Sequence, residues 1–229
     1  MTKTQARLTF DNYNPHEAVT RCPSGRAPVR KMLDDYAKAA VNLYGIISIK
    51  DFVEIFNSQN TEQTNAAEIF TLLLPDIVKK NKCRDGAYYC FYKDCIIHYW
   101  AMDDFDIGVH WLREQEDKSR FIPEKNEFLK YKNEYYEDKV QKMHWNKVFN
   151  FILKEWPNNK VFAIYDDLKI NSQFLCQLEI GGLQEKYDLS FDTTKQIQYF
   201  FDLLQCAHNN TRMWPNKGYT PKEMMKMFK

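Results

Sequence analysis

Between Ala27 and Trp100 the hydrophobic period changes once, and that change limits the folds open to the chain. Val29, Leu33, Tyr36, Ala40 and Leu43 recur at helical spacing, so one helix is expected from about Pro28 to Leu43. Pro28 suits its first turn, where a missing N–H costs nothing, and Gly45 suits a left-handed cap. Ile46 and Ile47 form a minimal strand, and Ser48 with Asp51 reads as a capping box for a second helix with Ile49, Phe52, Val53 and Phe56 inward. A turn is expected at Asn57 to Asn60. Asn60 and Gln63 are expected to cap a third helix that runs to about Lys80 with Ala66, Ile69, Phe70, Leu73, Leu74 and Ile77 buried. Pro75 predicts a kink or break near Leu74. Asp85-Gly86 is a turn signal. The period then shortens: Tyr88 to Tyr92 and Ile96 to Trp100 are rich in aromatic and β-branched residues and flank Lys93-Asp94, which reads as a hairpin.

Helix, short strand, helix, helix, hairpin is the order of a winged helix-turn-helix. The expected class is therefore mainly α (α+β), with a winged-helix-like N-terminal domain carrying a small β-hairpin, followed by a helical domain. Residues 1–25 lack a period and read as an N-terminal arm, residues 26–104 as the winged-helix-like domain and residues 105–229 as the helical C-terminal domain. The arm and first helix carry Lys3, Arg7, Arg21, Arg26, Arg30 and Lys31 against Asp11 and Glu17, a mild basic excess that suits a solvated segment or contact with phosphates or an acidic surface. In the C-terminal part, helices are expected over 106–116, 123–136 and 138–156. Val161, Ile164, Tyr165 and Leu168 start another helix, Phe174, Leu175 and Leu178 continue after Asn171-Ser172, and Gly181-Gly182 ends that unit. The last long helix opens at Thr193 or Thr194 with Ile197, Phe200, Phe201 and Leu204 inward, and Thr220-Pro221-Lys222-Glu223 caps a short terminal helix.

Length and composition remove several function classes. The 229 residues, 44% of them hydrophobic, suffice for one large domain or two small ones. A net charge of +1 provides no global field for nucleic acid or an anionic membrane. The absence of an apolar run near ~20 residues argues against a membrane partner. The first thirty residues hold no hydrophobic signal core, and six cysteines are too sparse for a disulfide framework, so reduced thiols and a cytoplasmic location are expected.

Sites for chemistry are weak. A DNA-reading helix presents hydrogen-bonding side chains near its start, which here are Thr61, Glu62, Gln63, Thr64, Asn65 and Glu68. Gln63, Thr64 and Asn65 are the candidate base contacts. Lys79, Lys80, Lys82 and Arg84 are the candidate phosphate contacts at the far end of the helix. Glu62, Glu68 and Asp76 oppose that reading, because they repel phosphates. Cys83, Cys90 and Cys95 with His98 form the one metal-like run, but intervals of six and four residues fit no common zinc spacing, and core packing is the default for free thiols. Cys90 and Cys95 are placed to face each other across the hairpin. The remaining histidines match no metalloprotease or cysteine-protease pattern. The acidic pairs at 103–106 and 166–167 read as solvated turns or helix starts rather than a two-metal site. Tyr131, Tyr135 and Tyr136 among Lys130, Lys132 and Lys139 suggest a single-strand platform, but neighbouring acids make an amphipathic helix the better account. No catalytic residue, metal or cofactor is expected, and the chain is read as non-enzymatic.

Two stretches carry a resemblance. Leu43-Tyr44-Gly45-Ile46-Ile47, with Phe52, Tyr88-Tyr89 and Ile97-His98, resembles the N-terminal winged-helix-like part of uncharacterised proteins of Gram-positive bacteria. The segment from His208 to Trp214, with Gly218 to Glu223, resembles the end of the same group. Some members continue into a short Cys-rich zinc motif like that of the bacterial secretion ATPase. That motif is not found in this sequence, so zinc is not carried over. The resemblance implies a bacterial, phage or mobile-element origin. The expected function is a DNA-binding regulator acting on double-stranded DNA; the alternative is a protein-binding adaptor or inhibitor on the same scaffold.

Overall fold

The computed structural model describes residues 25–82, 88–101, 110, 112–157, 160–174 and 180–227. The arm before Gly25, the turn at Asp85-Gly86, Cys83, Arg84 and the acids at 103–106 lie outside them. The chain is mainly helical with one small antiparallel sheet. Its contacts divide it into two compact units, the first grouping residues up to Glu116 with Ile122–Tyr136, the second Asp117–Phe121 with the chain from Glu137 onward. The sequence boundary at 104/105 splits the chain differently, because Ile122–Tyr136 packs within the first unit.

In the first unit, α1 (Ala27–Tyr44) is followed by β1 (Ile46–Ser48), α2 (Ile49–Gln59), α3 (Ala66–Lys82), β2 (Tyr89–Tyr92) and β3 (Cys95–His98). Gly45 takes φ 72° and its N–H donates to Val41 O, so the expected left-handed end of α1 is present. Its carbonyl then accepts from His98 N at 2.8 Å, which aligns β1 beside β3. The sheet order is β1-β3-β2, with Ile46 opposite Ile97 and Phe91 opposite Ile96. Lys93 turns the hairpin at φ 53°, a conformation two-residue hairpin loops require and glycine adopts more readily. Ile49 N donates to Asp94 O at 2.7 Å, so the hairpin tip is tied to the start of α2. Ser48 Oγ caps that helix by accepting from Asp51 N at 3.0 Å.

The first helix is buried well beyond one stripe. Tyr36, Ala37, Ala39, Ala40, Val41, Leu43 and Tyr44 are all fully covered. Residues 123–136, expected as one helix, instead form α4 (Lys125–Phe128) and a 3-10 turn (Leu129–Lys132) laid against α1. Phe128 fits between Tyr36 and Tyr44, at ring distances of 5.2 and 6.3 Å. The buried amide of Asn42 donates to Tyr131 O at 2.7 Å and accepts from the Tyr88 hydroxyl at 2.7 Å. Gln115, also buried, donates to Tyr44 O at 2.8 Å. These bonds give side-chain donors to backbone carbonyls at a helix end and in the 3-10 turn.

Three expectations for the helices of this unit are corrected. Helix α2 runs on through Asn57 to Gln59, and α3 begins only at Ala66, because the intervening turn is closed by side chains rather than by an early cap. Of the kink or break expected near Leu74, the break is not found: helix α3 runs on through Pro75. Leu72, Leu73 and Leu74 before the proline and Ile77 after it are all buried, so packing holds both halves against the local cost of about 3 kcal/mol. In α2 the fourth buried position is Ile55 rather than Val53.

The second unit is helical: α5 (Lys139–Glu155), α6 (Val161–Phe174), α7 (Ile180–Tyr187), α8 (Thr194–Asn209) and α9 (Pro221–Met227). Asp138 caps α5, its Oδ1 accepting from Val140 N and Gln141 N at 2.9 Å each. Trp145, Val148, Phe151, Ile152 and Trp156 meet Val161, Ile164 and Leu168 of α6 and Phe200 and Leu204 of α8 in one core. Helix α6 continues through Asn171-Ser172 to Phe174, and Ser172 is fully buried there. Gly181-Gly182 open α7 rather than closing the unit before it; a first turn tolerates glycine, and a Cβ at either position would meet nothing within 4 Å. Phe201, expected inward, is 46% exposed, since Phe200, Leu204 and Ala207 set the buried phase of α8. Thr193 Oγ1 accepts from Gln196 N at 3.1 Å and starts α8 as expected.

The stretch from His208 to Glu223 is structural within this unit. Trp145 Nε1 donates to Thr211 Oγ1 at 2.9 Å, and the Thr211 hydroxyl donates to Ala207 O at 2.8 Å. Thr220 and Glu223 form the reciprocal capping box, at 3.2 and 2.9 Å. Arg212 pairs with Glu223 and lies over the Phe121 ring at 3.8 Å. Among the described residues no helix is long and apolar enough to cross a membrane.

Candidate functional site

The turn between α2 and α3 concentrates the candidate base contacts, and its polar groups are committed to one another. Asn57, still helical, clamps Thr64 from both sides: its Nδ2 donates to Thr64 O at 2.9 Å and its Oδ1 accepts from Thr64 N at 2.8 Å. Gln63 Nε2 donates to Asn57 O at 3.1 Å and to Asn60 O at 2.8 Å. Thr64, expected on the surface, is only 7% exposed, and its hydroxyl donates to Glu68 Oε2 at 2.9 Å. Asn65 is the N-cap of α3, accepting from Glu68 N at 3.1 Å, in place of the expected Asn60. Asn60 instead accepts from Lys125 Nζ at 2.6 Å and donates to Phe56 O at 2.8 Å.

Arg26, the residue before α1, closes the turn from outside. Its Nε donates to Glu68 Oε1 at 2.6 Å, its Nη1 to Glu62 Oε2 at 3.2 Å and its Nη2 to Gln63 O at 3.3 Å. The guanidinium thus spans two carboxylates and a carbonyl, the planar fork that arginine offers and lysine lacks. Arg26 figures in the sequence only as part of a basic excess. The available signal was its place: a cation at the N-terminus of a helix opposes the helix dipole, and α1 has no acid in its first turn to offset it.

Lys79, Lys80 and Lys82 fall at the end of α3, with side chains outside the described residues, as is Arg84. The hairpin tip presents exposed Lys93 and Asp94, with Lys93 Nζ 5.2 Å from the Tyr92 ring.

The cysteine run does not assemble a ligand set among the described residues, where no group of three or more His, Cys, Asp or Glu is placed to hold a metal ion. Cys90 pairs with Ile97 and Cys95 with Tyr92, so the two thiols are diagonal neighbours on one face, not directly opposed as expected. Both are free and buried, and burial pushes the Cys90 thiol up to about 12. His98 is buried and held down to about 3 by desolvation, so it is neutral at ordinary pH; its Nδ1 accepts from Trp100 N at 3.3 Å. Asp167 accepts from Lys186 and, at 2.8 Å, from the Tyr187 hydroxyl. The tyrosine and lysine stretch is also engaged: the Tyr131 and Tyr136 rings meet edge to face at 4.9 Å, and Lys132 pairs with Asp35 at 2.9 Å. Tyr135 remains 76% exposed.

No protein family, no characterised protein and no solved structure was found to match the chain.

Proposed function

We propose that this chain is a non-enzymatic binding protein whose first unit is a winged-helix-like scaffold that contacts another protein through the α2–α3 turn and the hairpin tip. The order α1-β1-α2-α3-β2-β3, with β3 central in the sheet, supports the winged-helix reading, as does the resemblance to the Gram-positive group. The observation that carries the choice of a protein partner is the state of the turn. A base-reading helix needs free amide and hydroxyl groups at its start, whereas here the Gln63 amide is spent on two carbonyls, Thr64 is buried and Asn65 is a cap. The hairpin loop is two residues long and offers one cation and one acid, little for a groove or a phosphate row.

The second reading, a DNA-binding regulator, draws support from the helix order and from Lys79, Lys80, Lys82 and Arg84. A gel shift with random-sequence duplexes at about 50 mM salt separates the two, because phosphate contacts weaken steeply as salt rises. The protein-contact reading expects no shift. It also expects a captured protein complex to survive alanine at Lys79, Lys80, Lys82 and Arg84, and to be lost in Glu62→Lys with Lys93→Glu. A shift that loses sequence preference in Gln63→Ala and Asn65→Ala overturns it in favour of the regulator.

A further inference from the structure

We propose that Arg26 is an autoinhibitory latch, an internal ligand that occupies a guanidinium-binding site on the α2–α3 turn. Three acceptors converge on it: Glu68 Oε1, Glu62 Oε2 and Gln63 O, at 2.6, 3.2 and 3.3 Å from Nε, Nη1 and Nη2. The Arg26 carbonyl accepts from Arg30 N at 2.9 Å, but its side chain does nothing for its own helix. It sits at the N-cap of α1, makes no side-chain cap there, and places its charge at the positive end of the helix dipole. A residue that breaks a local rule is held there by a tertiary contact, and here that contact is the turn. Glu68, by contrast, stands in the first turn of α3, where an acid is favoured. It bridges the latch to the turn, with Oε1 on Arg26 and Oε2 on the Thr64 hydroxyl.

The arrangement is also open to competition. The side chains of Arg26, Glu68 and Glu62 are 28%, 22% and 61% exposed, so water and solutes reach the Glu62 arm first, and partly exposed ion pairs are weak and screened by salt. With Arg26 in place one of the two carboxylate charges is offset and the Gln63 carbonyl is covered. Once Arg26 leaves, the same face carries two unneutralised acids and a free carbonyl, an acceptor set for an arginine presented by a partner. The gating role rests on the reading of this turn as a protein-contact face; the latch itself does not, and it is measured without any partner.

The reporters are the Thr64 and Glu68 amides, which are bonded to Asn57 Oδ1 and Asn65 Oδ1 inside the turn. In Arg26→Ala their hydrogen exchange rises by about fivefold, the factor that an exposed ion-pair network of ~1 kcal/mol supports, while the amides of Leu33 and Tyr36 in α1 keep their rates. Ethylguanidinium added to Arg26→Ala restores the protection and ethylammonium does not, since only the planar fork reaches all three acceptors. Arg26→Lys keeps the charge and falls between wild type and Arg26→Ala. N-acetyl-argininamide binds Arg26→Ala more tightly than wild type, and Glu62→Gln in that background removes the binding. Unchanged turn amides in Arg26→Ala overturn the latch. So do equal acceleration throughout α1 and equal rescue by ethylammonium. Failure to capture a protein partner leaves these rates untouched and bears on the proposed function alone.

Discussion

The two units bury polar side chains for different purposes. In the first, Asn42 and Gln115 reach backbone carbonyls far away in sequence: Asn42 and Tyr131 are separated by 89 residues, Gln115 and Tyr44 by 71. Those carbonyls belong to irregular backbone or a helix end, and a buried amide is what satisfies them. In the second, the buried Thr211 and Thr220 finish helix ends, accepting or donating within a few residues of their own position, apart from the one long link to Trp145. Helices satisfy their own interior backbone, so a helical core needs polar partners only at its termini, whereas a unit that uses irregular chain as a wall must bury side chains to serve it. The apolar part follows the same division. In the first unit the C-terminal part of one long helix, from Ala39 to Tyr44, is wrapped on all sides, while in the second α5, α6 and α8 share aromatic contacts, with Phe151, Trp156 and Phe200 touching one another and Trp145 meeting Tyr165.

The sharpest way to break this contrast is at the aromatic seam. Trp145→Ala removes a fully buried indole and the donor to Thr211, and is expected to cost the second unit about 3–5 kcal/mol. Exchange protection in α5, α6 and α8 should collapse while α1 keeps its own; loss in both units to the same degree shows that they unfold as one. Next comes the long polar link of the first unit. Asn42→Ala removes the buried amide that donates to the Tyr131 carbonyl and accepts from the Tyr88 hydroxyl, and is expected to cost roughly 1–3 kcal/mol, read in a denaturant melt, with exchange rising first in residues 125–132. An undiminished midpoint removes the claim that buried amides hold that wall.

Acid tests the same unit through His98. Its folded value of about 3 lies below the ordinary 6.5, so below pH 6.5 the unfolded chain binds a proton that the folded chain refuses. The contribution is fully present above pH 6.5 and is lost as pH falls towards 3. By pH 5.5 the loss is about 1.4 kcal/mol. A His98→Gln variant should show a flatter dependence between pH 6.5 and 5.5; parallel curves refute the buried neutral imidazole. The smallest effect is expected at the helix ends of the second unit: Thr220→Ala breaks one arm of the capping box and costs about 1 kcal/mol. Circular dichroism should register fraying confined to the last helix.

Much of this was legible in the chain itself where the signal is local. Gly45 needs only its own backbone freedom, Ser48 and Thr220 serve donors three residues on, and the hairpin follows from two short β-prone runs around Lys93-Asp94. Helical stripes placed α1 and α5 closely, because their periods repeat over several turns. The turn at 60–65 was located but misread. Asn60, Gln63, Thr64 and Asn65 are all good cap or contact residues, and local preference does not rank them. Asn57 and Arg26, one at the end of a helix and one outside it, decided which became the cap, which was buried and which was tied down.

By itself, the sequence determined the order of elements between Ala27 and Trp100, the ends of the helices that carry their own caps, and the apolar face of each periodic segment, since each depends on contacts within about one turn or one strand pair. Only the tertiary structure decided that the end of α1, from Ala39 to Tyr44, is fully enclosed, that the chain around Tyr131 becomes a 3-10 wall, that α3 survives Pro75, and that the start of α3 is latched. Each of those outcomes depends on groups brought together across tens of residues, where the free energy of burial and of completed hydrogen bonds outweighs a local preference of ~1–3 kcal/mol.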